Sequence, residues 1–161
     1  MQPSLDPLLQ KLEAVDSVSK AQTLLFDTIA PSQRLTDALS FAKDAHEGQL
    51  RKSGEPYIVH PILVAAITAS ISSDETMVIA ALLHDVVEDT AFTIEEIKER
   101  FGEDVAHLVE GLTKIVEIRD SELVPSTSDE KLVTSALSFR KMLICSIEDV
   151  RVLVIKLCDR L

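Results

Sequence analysis

The feature that most constrains the fold of this chain is an apolar run that also carries charged residues, at positions 80–90. The run reads Ala-Ala-Leu-Leu-His-Asp-Val-Val-Glu-Asp-Thr. Together with the residues before it, over positions 74–89, it is too long for a typical strand and predicts a buried helix. Charged side chains are rarely buried without a partner. A helix of this sequence therefore needs partners for its charges from elsewhere in the chain.

Helical spacing relates the polar residues of this run to one another. Residues four apart share one face of a helix, so Glu88 lies one turn after His84, and Asp89 lies one turn after Asp85. His84 and Asp85 are adjacent and point in different directions, so a metal held by both would need further ligands from other segments. The simpler alternative is a helix end that reaches solvent, with His84 as a hydrogen-bonded core histidine.

The rest of the chain has the periodicity of an all-α protein. Apolar residues at helical spacing predict helices over positions 5–15, 18–29, 31–47, 61–70, 74–89, 94–101, 103–118, 129–146 and 150–161. Thr93 with Glu96 predicts a capping box, and Gly102 predicts a helix end. The charged stretch at positions 119–128 is predicted to be a loop, either a lid or a plain connector. No strand pattern, internal repeat or glycine-rich phosphate loop is found.

Composition limits the class of protein. The chain has 161 residues, of which 46% are hydrophobic, and a formal net charge of −11. This length suits one domain with a sizeable core. The negative charge argues against binding of duplex DNA, whose affinity depends on neutralised phosphates. No apolar run is long enough to span a membrane, residues 1–20 have no signal core, and a cytoplasmic protein is predicted. Cys145 and Cys158 are interpreted as core residues in a reducing compartment.

A basic loop precedes a further candidate ligand. Positions 49–60 read Gln-Leu-Arg-Lys-Ser-Gly-Glu-Pro-Tyr-Ile-Val-His, and Arg51 and Lys52 are adjacent cations beside a turn signal. Arg binds phosphate through its planar fork and Lys as a point charge. The alternative is an ordinary solvated loop. His60 stands before Pro61 at the start of an apolar helix, where it would cap that helix or ligate a metal.

The last apolar helix contributes another candidate. Asp159 follows a nearly continuous apolar run and needs a partner, which is either a nearby residue such as Arg160 or a metal. Two histidines and two aspartates would make a mixed nitrogen and oxygen ligand set: His60, His84, Asp85 and Asp159. Such a set suits Mn²⁺, Fe²⁺ or Zn²⁺ and fits Ca²⁺ poorly.

These parts together predict a reaction. Glu88, one turn from His84, is placed to order a water on the metal, and a metal lowers the pKa of a bound water. The basic loop would hold an anionic substrate beside it. The combination predicts metal-assisted hydrolysis of a phosphoester or pyrophosphate.

The motifs resemble the N-terminal hydrolase domain of the bifunctional RelA/SpoT homologues, within the HD phosphohydrolase superfamily. The resemblance runs from residue 38 to the C-terminus and is carried by positions 46–61, 81–90, 101–102, 111–114 and 155–161. These enzymes handle the alarmone (p)ppGpp of the stringent response. They remove its 3′-pyrophosphate, which gives GDP or GTP plus pyrophosphate. The resemblance implies an all-α HD-domain helical bundle with this activity.

The resemblance also implies a role for each matching residue. The ligands of one Mn²⁺ would be His60, His84, Asp85 and Asp159. The acidic pair that activates water would be Glu88 and Asp89. The loop that contacts the guanine nucleotide, ppGpp or pppGpp, would include Arg51, Lys52 and Ser53, with Tyr57 a weaker candidate.

Domain organisation follows from the same resemblance. We expect positions 1–30 to form an N-terminal helical cover of the hydrolase domain, and positions 31–161 to form that domain. In the family, an Asp-Arg-Leu stretch continues into a His-Asn segment and further helices, so we expect this chain to be a truncated hydrolase domain. Synthetase and regulatory domains are expected in the full-length protein, with no synthetase activity in this part. No direct DNA or membrane partner is expected.

Three alternatives remain open at this point. The chain could be an HD phosphohydrolase for another nucleotide, as in related small alarmone hydrolases that also accept NADPH. It could be a non-catalytic module that senses a nucleotide without turnover. It could also be a purely structural helical domain, although this would require separate coincidences at four helix edges.

Overall fold

The structure is a computed structural model that describes residues 6–13, 15, 17–121 and 149–160. Its helices, in chain order, are α1 (Asp6–Glu13), α2 (Val18–Thr28), α3 (Gln33–Ala45), α4 (Val59–Ile71), α5 (Glu75–Asp89), α6 (Ile94–Phe101), α7 (Glu103–Ser121) and α8 (Val150–Arg160). Within the described ranges, the sole extended pairing joins Leu50 to Pro56. The predicted all-α fold class is confirmed.

Helix α5 lies at the centre of the fold. It packs against α3, α4 and α7, and it also contacts α8. Every residue from position 77 to position 86 is buried. A helix that neighbours surround on several sides is apolar nearly all round, which explains the unusual sequence of this segment. His84 and Asp85 therefore lie in the interior rather than at a helix end that has reached solvent.

Local sequence signals define the ends of several helices. Asp74 caps α5 by accepting a hydrogen bond from the Thr76 amide at 3.0 Å. Thr93 and Glu96 form the predicted capping box at the start of α6. Gly102 ends α6 with a φ of +98°, a conformation that L side chains rarely adopt.

Three predictions in the C-terminal half have different outcomes. The predicted loop at positions 119–128 is wrong for residues 119–121, which belong to α7. Charged residues are tolerated in helices, so a charged stretch does not by itself mark a helix end. The rest of that loop, the predicted helix at 129–146 and Cys145 lie outside the described residues. Cys158 is a free thiol and is buried, as predicted.

Helix α8 is held in place by polar and apolar contacts. It packs on α4 and α7. An Arg151 guanidinium nitrogen lies 2.8 Å from Asp149, and another lies 3.3 Å from Asp74, the capping residue of α5. The start of α8 is thereby tied to the start of α5. Among the described helices, none has both the length and the hydropathy needed to cross a membrane.

Candidate metal centre

Three helices bring the four predicted ligand residues together. His60 lies in the first turn of α4, His84 and Asp85 lie near the end of α5, and Asp159 lies near the end of α8. One ligand atom from each of His60, His84 and Asp85 lies within 4.8 Å of the others. Oδ1 of Asp159 lies 2.7 Å from Nε2 of His60 and 3.3 Å from Nε2 of His84. The structure thus forms one cluster from segments that are far apart in sequence.

A backbone contact sets the orientation of the His84 ring. Its Nδ1 lies 2.6 Å from the carbonyl oxygen of Ala81, to which Nδ1–H donates. Nε2 therefore faces the carboxylates, at 3.1 Å from Oδ1 of Asp85. A hydrogen bond at one ring nitrogen is the usual way in which a protein presents the other nitrogen to a metal.

Each of the two carboxylates is held by its second oxygen. The Tyr57 hydroxyl donates to Oδ2 of Asp85 at 2.8 Å, and the Lys156 ammonium donates to Oδ2 of Asp159 at 3.0 Å. Lys156 is a residue that the sequence analysis missed, since Arg160 was the neighbour considered for Asp159. The signal was available, because Lys156 precedes Asp159 by three residues and such pairs meet on a helix.

Because most of the cluster is shielded from water, the charges of its side chains must compensate one another. His84 is only 2% exposed, Asp85 6% and Lys156 8%. Burial alone would lower the pKa of His84, but the hydrogen bond to Asp159 and the charges of both aspartates raise that pKa to about 9. Burial alone would raise the pKa of Asp159, but the contacts with His60 and His84 hold it well below its ordinary value. Without a metal, the two carboxylates therefore favour the protonated form of His84.

The donor set fits a divalent transition metal. The cluster offers imidazole nitrogens and carboxylate oxygens, and it contains no thiolate. Both carboxylates lie close to Nε2 of His84 and are largely shielded from water, so they need a cation beside them, because an uncompensated buried charge is costly. Mixed nitrogen and oxygen donors suit Mn²⁺, Fe²⁺ or Zn²⁺. The residues present therefore fit a metal of this class.

The two predicted acidic residues differ in their environment. Glu88 is half-buried, and burial together with the nearby charge of Asp85 raises its pKa to about 7. A carboxyl group with this pKa can both accept and release a proton near neutral pH. Asp89 is exposed at the last position of α5. Its backbone oxygen accepts a hydrogen bond from the Gln49 side chain at 3.1 Å.

The predicted basic loop is exposed and closed by backbone hydrogen bonds. Arg51, Lys52 and Ser53 are all exposed. The Arg51 amide donates to the Glu55 carbonyl at 2.9 Å, and Gly54 has a φ of +90° that the turn requires. The loop thus presents its cations to solvent, as a solvated loop and a phosphate-binding loop would both do.

Tyr57 and His46 connect this loop to the candidate metal centre. Tyr57 directs its hydroxyl to Asp85, and the centre of its ring lies 4.9 Å from that of the buried His46. The Nδ1 atom of His46 lies 2.9 Å from the side-chain oxygen of Gln49, whose amide nitrogen donates to Asp89. These contacts anchor the base of the loop to α5. Burial, with the nearby charge of Asp85, also raises the pKa of Tyr57, so its hydroxyl stays a hydrogen-bond donor.

One protein-family model matches a large part of the chain. The sequence profile described as "HD domain" matches residues 38–161. An HD hydrolase domain implies a divalent metal, in agreement with the cluster of His60, His84 and Asp85.

Curated relatives share this region. A protein of Synechocystis sp. (strain ATCC 27184 / PCC 6803 / Kazusa), named "Probable guanosine-3′,5′-bis(diphosphate) 3′-pyrophosphohydrolase", is 46% identical over 84% of this chain and 17% of its own length. "Bifunctional (p)ppGpp synthase/hydrolase SpoT" of Escherichia coli (strain K12) is 45% identical over 80% of this chain and 17% of its own length. The chain thus spans about a sixth of these relatives.

A solved structure resembles the fold. Its title is "A metazoan ortholog of SpoT hydrolyzes ppGpp and plays a role in starvation responses". It is 32% identical with a TM-score of 0.60, over 80% of this chain and 67% of the other. At this identity the similarity extends beyond the fold to the sequence of the shared region.

Proposed function

The chain belongs to the HD domain family, and from that premise we propose that it hydrolyses the 3′-pyrophosphate of (p)ppGpp to GDP or GTP plus pyrophosphate. The observation that carries this proposal is the convergence of His60, His84, Asp85 and Asp159 on one point, with Glu88 one turn away. The names of the relatives supply the substrate. The convergence of charged groups on one point in the interior argues against the alternative of a purely structural helical domain.

We propose that the metal is Mn²⁺, held by His60, His84, Asp85 and Asp159. When bound, a divalent metal lowers the pKa of a water and stabilises negative charge on phosphate oxygens. Nε2 of His84 is available to it because Nδ1 is engaged with the Ala81 carbonyl. The carboxylates supply negative charge in a buried place, where charge interactions are screened less than at the surface.

In the proposed reaction, Glu88 accepts the proton of the attacking water. The water oxygen bonds to the phosphorus that carries the 3′-oxygen, and the bond between that phosphorus and the 3′-oxygen breaks. The leaving 3′-oxygen takes a proton from solvent, and Glu88 returns its proton to solvent. With a pKa near 7, Glu88 is ionised in a large fraction of molecules at neutral pH. Asp89 would assist it from the exposed end of α5.

Arg51, Lys52 and Ser53 are proposed to hold the nucleotide. They are exposed, and their loop is anchored to α5 by Gln49. Arg and Lys would neutralise phosphate charge, and the Ser hydroxyl would add a hydrogen bond. Tyr57 borders this loop, but its hydroxyl is engaged with Asp85. We therefore place any nucleotide contact of Tyr57 on its ring rather than on its hydroxyl.

The organisation of the whole protein is a further part of the proposal. We propose synthetase and regulatory domains in the full-length protein, and the name of a bifunctional synthase and hydrolase relative supports the synthetase domain. Positions 1–30 are proposed to cover the hydrolase domain at positions 31–161, in agreement with the packing of α2 on α4. We also propose a cytoplasmic location, where guanine nucleotides are available.

The decisive experiment measures pyrophosphate release from ppGpp with and without added Mn²⁺. The assay uses the 161-residue chain, any longer form of the protein and an Asp37→Asn control, which alters an exposed residue of α3 outside the cluster. Metal-dependent release by parent and control supports the proposal. Release of inorganic phosphate from another nucleotide, such as NADPH, without pyrophosphate release from ppGpp would indicate a different HD phosphohydrolase. Binding of Mn²⁺ and ppGpp without release by any form would indicate a nucleotide sensor.

A further inference from the structure

Lys156 and Tyr57 occupy equivalent places on the two carboxylates of the metal centre. Lys156 donates to Oδ2 of Asp159, and Tyr57 donates to Oδ2 of Asp85. In both carboxylates the other oxygen, Oδ1, is the atom close to the histidine Nε2 atoms. Two side chains of different type, from different segments, thus orient the two carboxylates in the same way.

From this arrangement we propose that Lys156 and Tyr57 are positioning residues, which direct Oδ1 of Asp159 and Oδ1 of Asp85 toward the metal. The inference rests on the metal site of the proposed function. It adds that each aspartate offers one oxygen, while its second oxygen is held by a protein donor.

The burial of Lys156 supports a specific role. The residue is 8% exposed, and its ammonium group lies 3.0 Å from Asp159. Bringing an ammonium group out of water is costly unless it is paired. A Lys at this depth, three residues before Asp159 on the same helix, therefore serves the carboxylate beside it. Substrate binding is a poorer use, because the side chain is only 10% exposed.

Charge and orientation predict opposite effects of removing Lys156. The ammonium group repels a metal cation, so a purely electrostatic role predicts tighter metal binding once the charge is removed. A positioning role predicts weaker binding, because Asp159 then rotates or exposes both oxygens. Residues that orient metal ligands typically change metal affinity by about 10- to 100-fold when mutated. The direction of the change therefore separates the two roles.

The test measures Mn²⁺ affinity by isothermal titration calorimetry and by loss of the free Mn²⁺ signal in electron paramagnetic resonance. Lys156→Met is expected to weaken affinity about tenfold or more, and Lys156→Arg to retain part of it, since Arg keeps a donor. Lys98→Met is the matched control, because Lys98 is an exposed lysine paired with Glu103. Tyr57→Phe removes one hydrogen bond, from a neutral hydroxyl to a carboxylate, and is expected to weaken affinity several-fold.

Thermal unfolding in chelator separates positioning from stability. If Lys156→Met and Tyr57→Phe stay folded without metal and bind Mn²⁺ more weakly than the Lys98→Met control, the inference stands. Equal or tighter binding by Lys156→Met would overturn it for Lys156 and leave the proposed function intact. If Lys156→Met does not fold, the Mn²⁺ affinities of Lys156→Arg and Tyr57→Phe provide the test instead. Affinities equal to that of the parent in both variants would overturn the inference. A parent chain that binds no Mn²⁺ would contradict the proposed function itself.

Discussion

Oδ1 of Asp159 lies 2.7 Å from Nε2 of His60, although 99 positions separate the two residues in the chain. The contact joins the end of α8 to the first turn of α4. The proposed metal centre is therefore complete only when α8 packs correctly on the rest of the bundle. Residues that hold α8 in place are expected to influence metal binding from a distance.

Gly111 is such a residue, because a methyl group there would meet Val152 of α8. A Cβ atom added to Gly111 would lie 2.9 Å from a Val152 methyl carbon. We expect Gly111→Ala to destabilise the fold by about 1–3 kcal/mol, as overpacking commonly does, and to weaken Mn²⁺ binding. Urea unfolding and calorimetric titration measure the two effects.

The control for this prediction is the double variant Gly111→Ala with Val152→Ala. Removing the Val152 methyl groups relieves the overlap, so the double variant should lose less than the sum of the single variants. Additive losses would show that Gly111→Ala acts through something other than its contact with α8.

Asp85→Asn tests the ligand assignment at α5. The side chain is 9% exposed, and Oδ1 lies 3.1 Å from Nε2 of His84. The amide keeps the shape but removes the charge, so we expect the variant to fold and to lose Mn²⁺ binding. Metal content is measured after dialysis. Asp37→Asn, at an exposed position of α3, is the control. Metal content equal to that of the parent would remove Asp85 from the ligand set.

Metal binding should release a proton from His84. In the metal-free protein its pKa is raised to about 9, so the ring is protonated at pH 7.5. A metal requires the neutral ring, so binding at this pH should release about one proton, and affinity should rise with pH until about 9. Titration calorimetry in buffers of different ionisation enthalpy counts the protons. Binding without proton release would contradict this assignment.

Glu88→Gln should separate metal binding from turnover. Glu88 is not among the four proposed ligands, so we expect the variant to bind Mn²⁺ normally. Loss of general base catalysis typically costs a factor of about 100 to 10,000 in rate, and hydrolysis should fall accordingly. Pyrophosphate release and metal titration are measured on the same preparation. Undiminished turnover would remove Glu88 from the mechanism.

The same variant has a predicted dependence of stability on pH. A carboxyl whose pKa is raised on folding, here to about 7, stabilises the fold below its unfolded value of 4.5, and this contribution is lost as pH rises through 7. In chelator at pH 8, Glu88→Gln should therefore be more stable than the parent by about 1 kcal/mol, a figure reduced for the partial exposure of the side chain. The difference should be smaller at pH 5, and a difference that does not change with pH would contradict the burial argument.

Arg51→Ala tests the basic loop. The side chain is 40% exposed, and no described contact joins it to the metal cluster. Hydrogen bonds to charged groups are worth about 1.5–3 kcal/mol, so nucleotide affinity should fall by about 10- to 100-fold, with Mn²⁺ affinity unchanged. Binding of ppGpp is measured in the Glu88→Gln background, which prevents turnover. Lys98→Ala serves as the control for loss of an exposed cation. A larger effect on metal binding than on nucleotide binding would overturn the assignment.

Sequence reasoning succeeded where local interactions decide the outcome. The helix around His84 and the capping box of Thr93 and Glu96 depend on hydrogen bonds between residues a few positions apart, which a sequence displays directly. The nearly continuous apolar pattern of α5 also predicted its burial. The end of α7 was misplaced, because charged residues are compatible with both helix and loop.

By itself, the sequence determined most of the helices in the described ranges and the residue types available to a metal, but it left open whether the end of α5 reaches solvent. Only the tertiary structure decided which atoms meet: Oδ1 of Asp159 with His60, and the second oxygens with Lys156 and Tyr57. These contacts depend on how α8 packs against α4 and α5, and on side-chain orientations set by neighbours distant in sequence. Periodicity reports which face of a helix is buried, but not which buried group of another helix will face it.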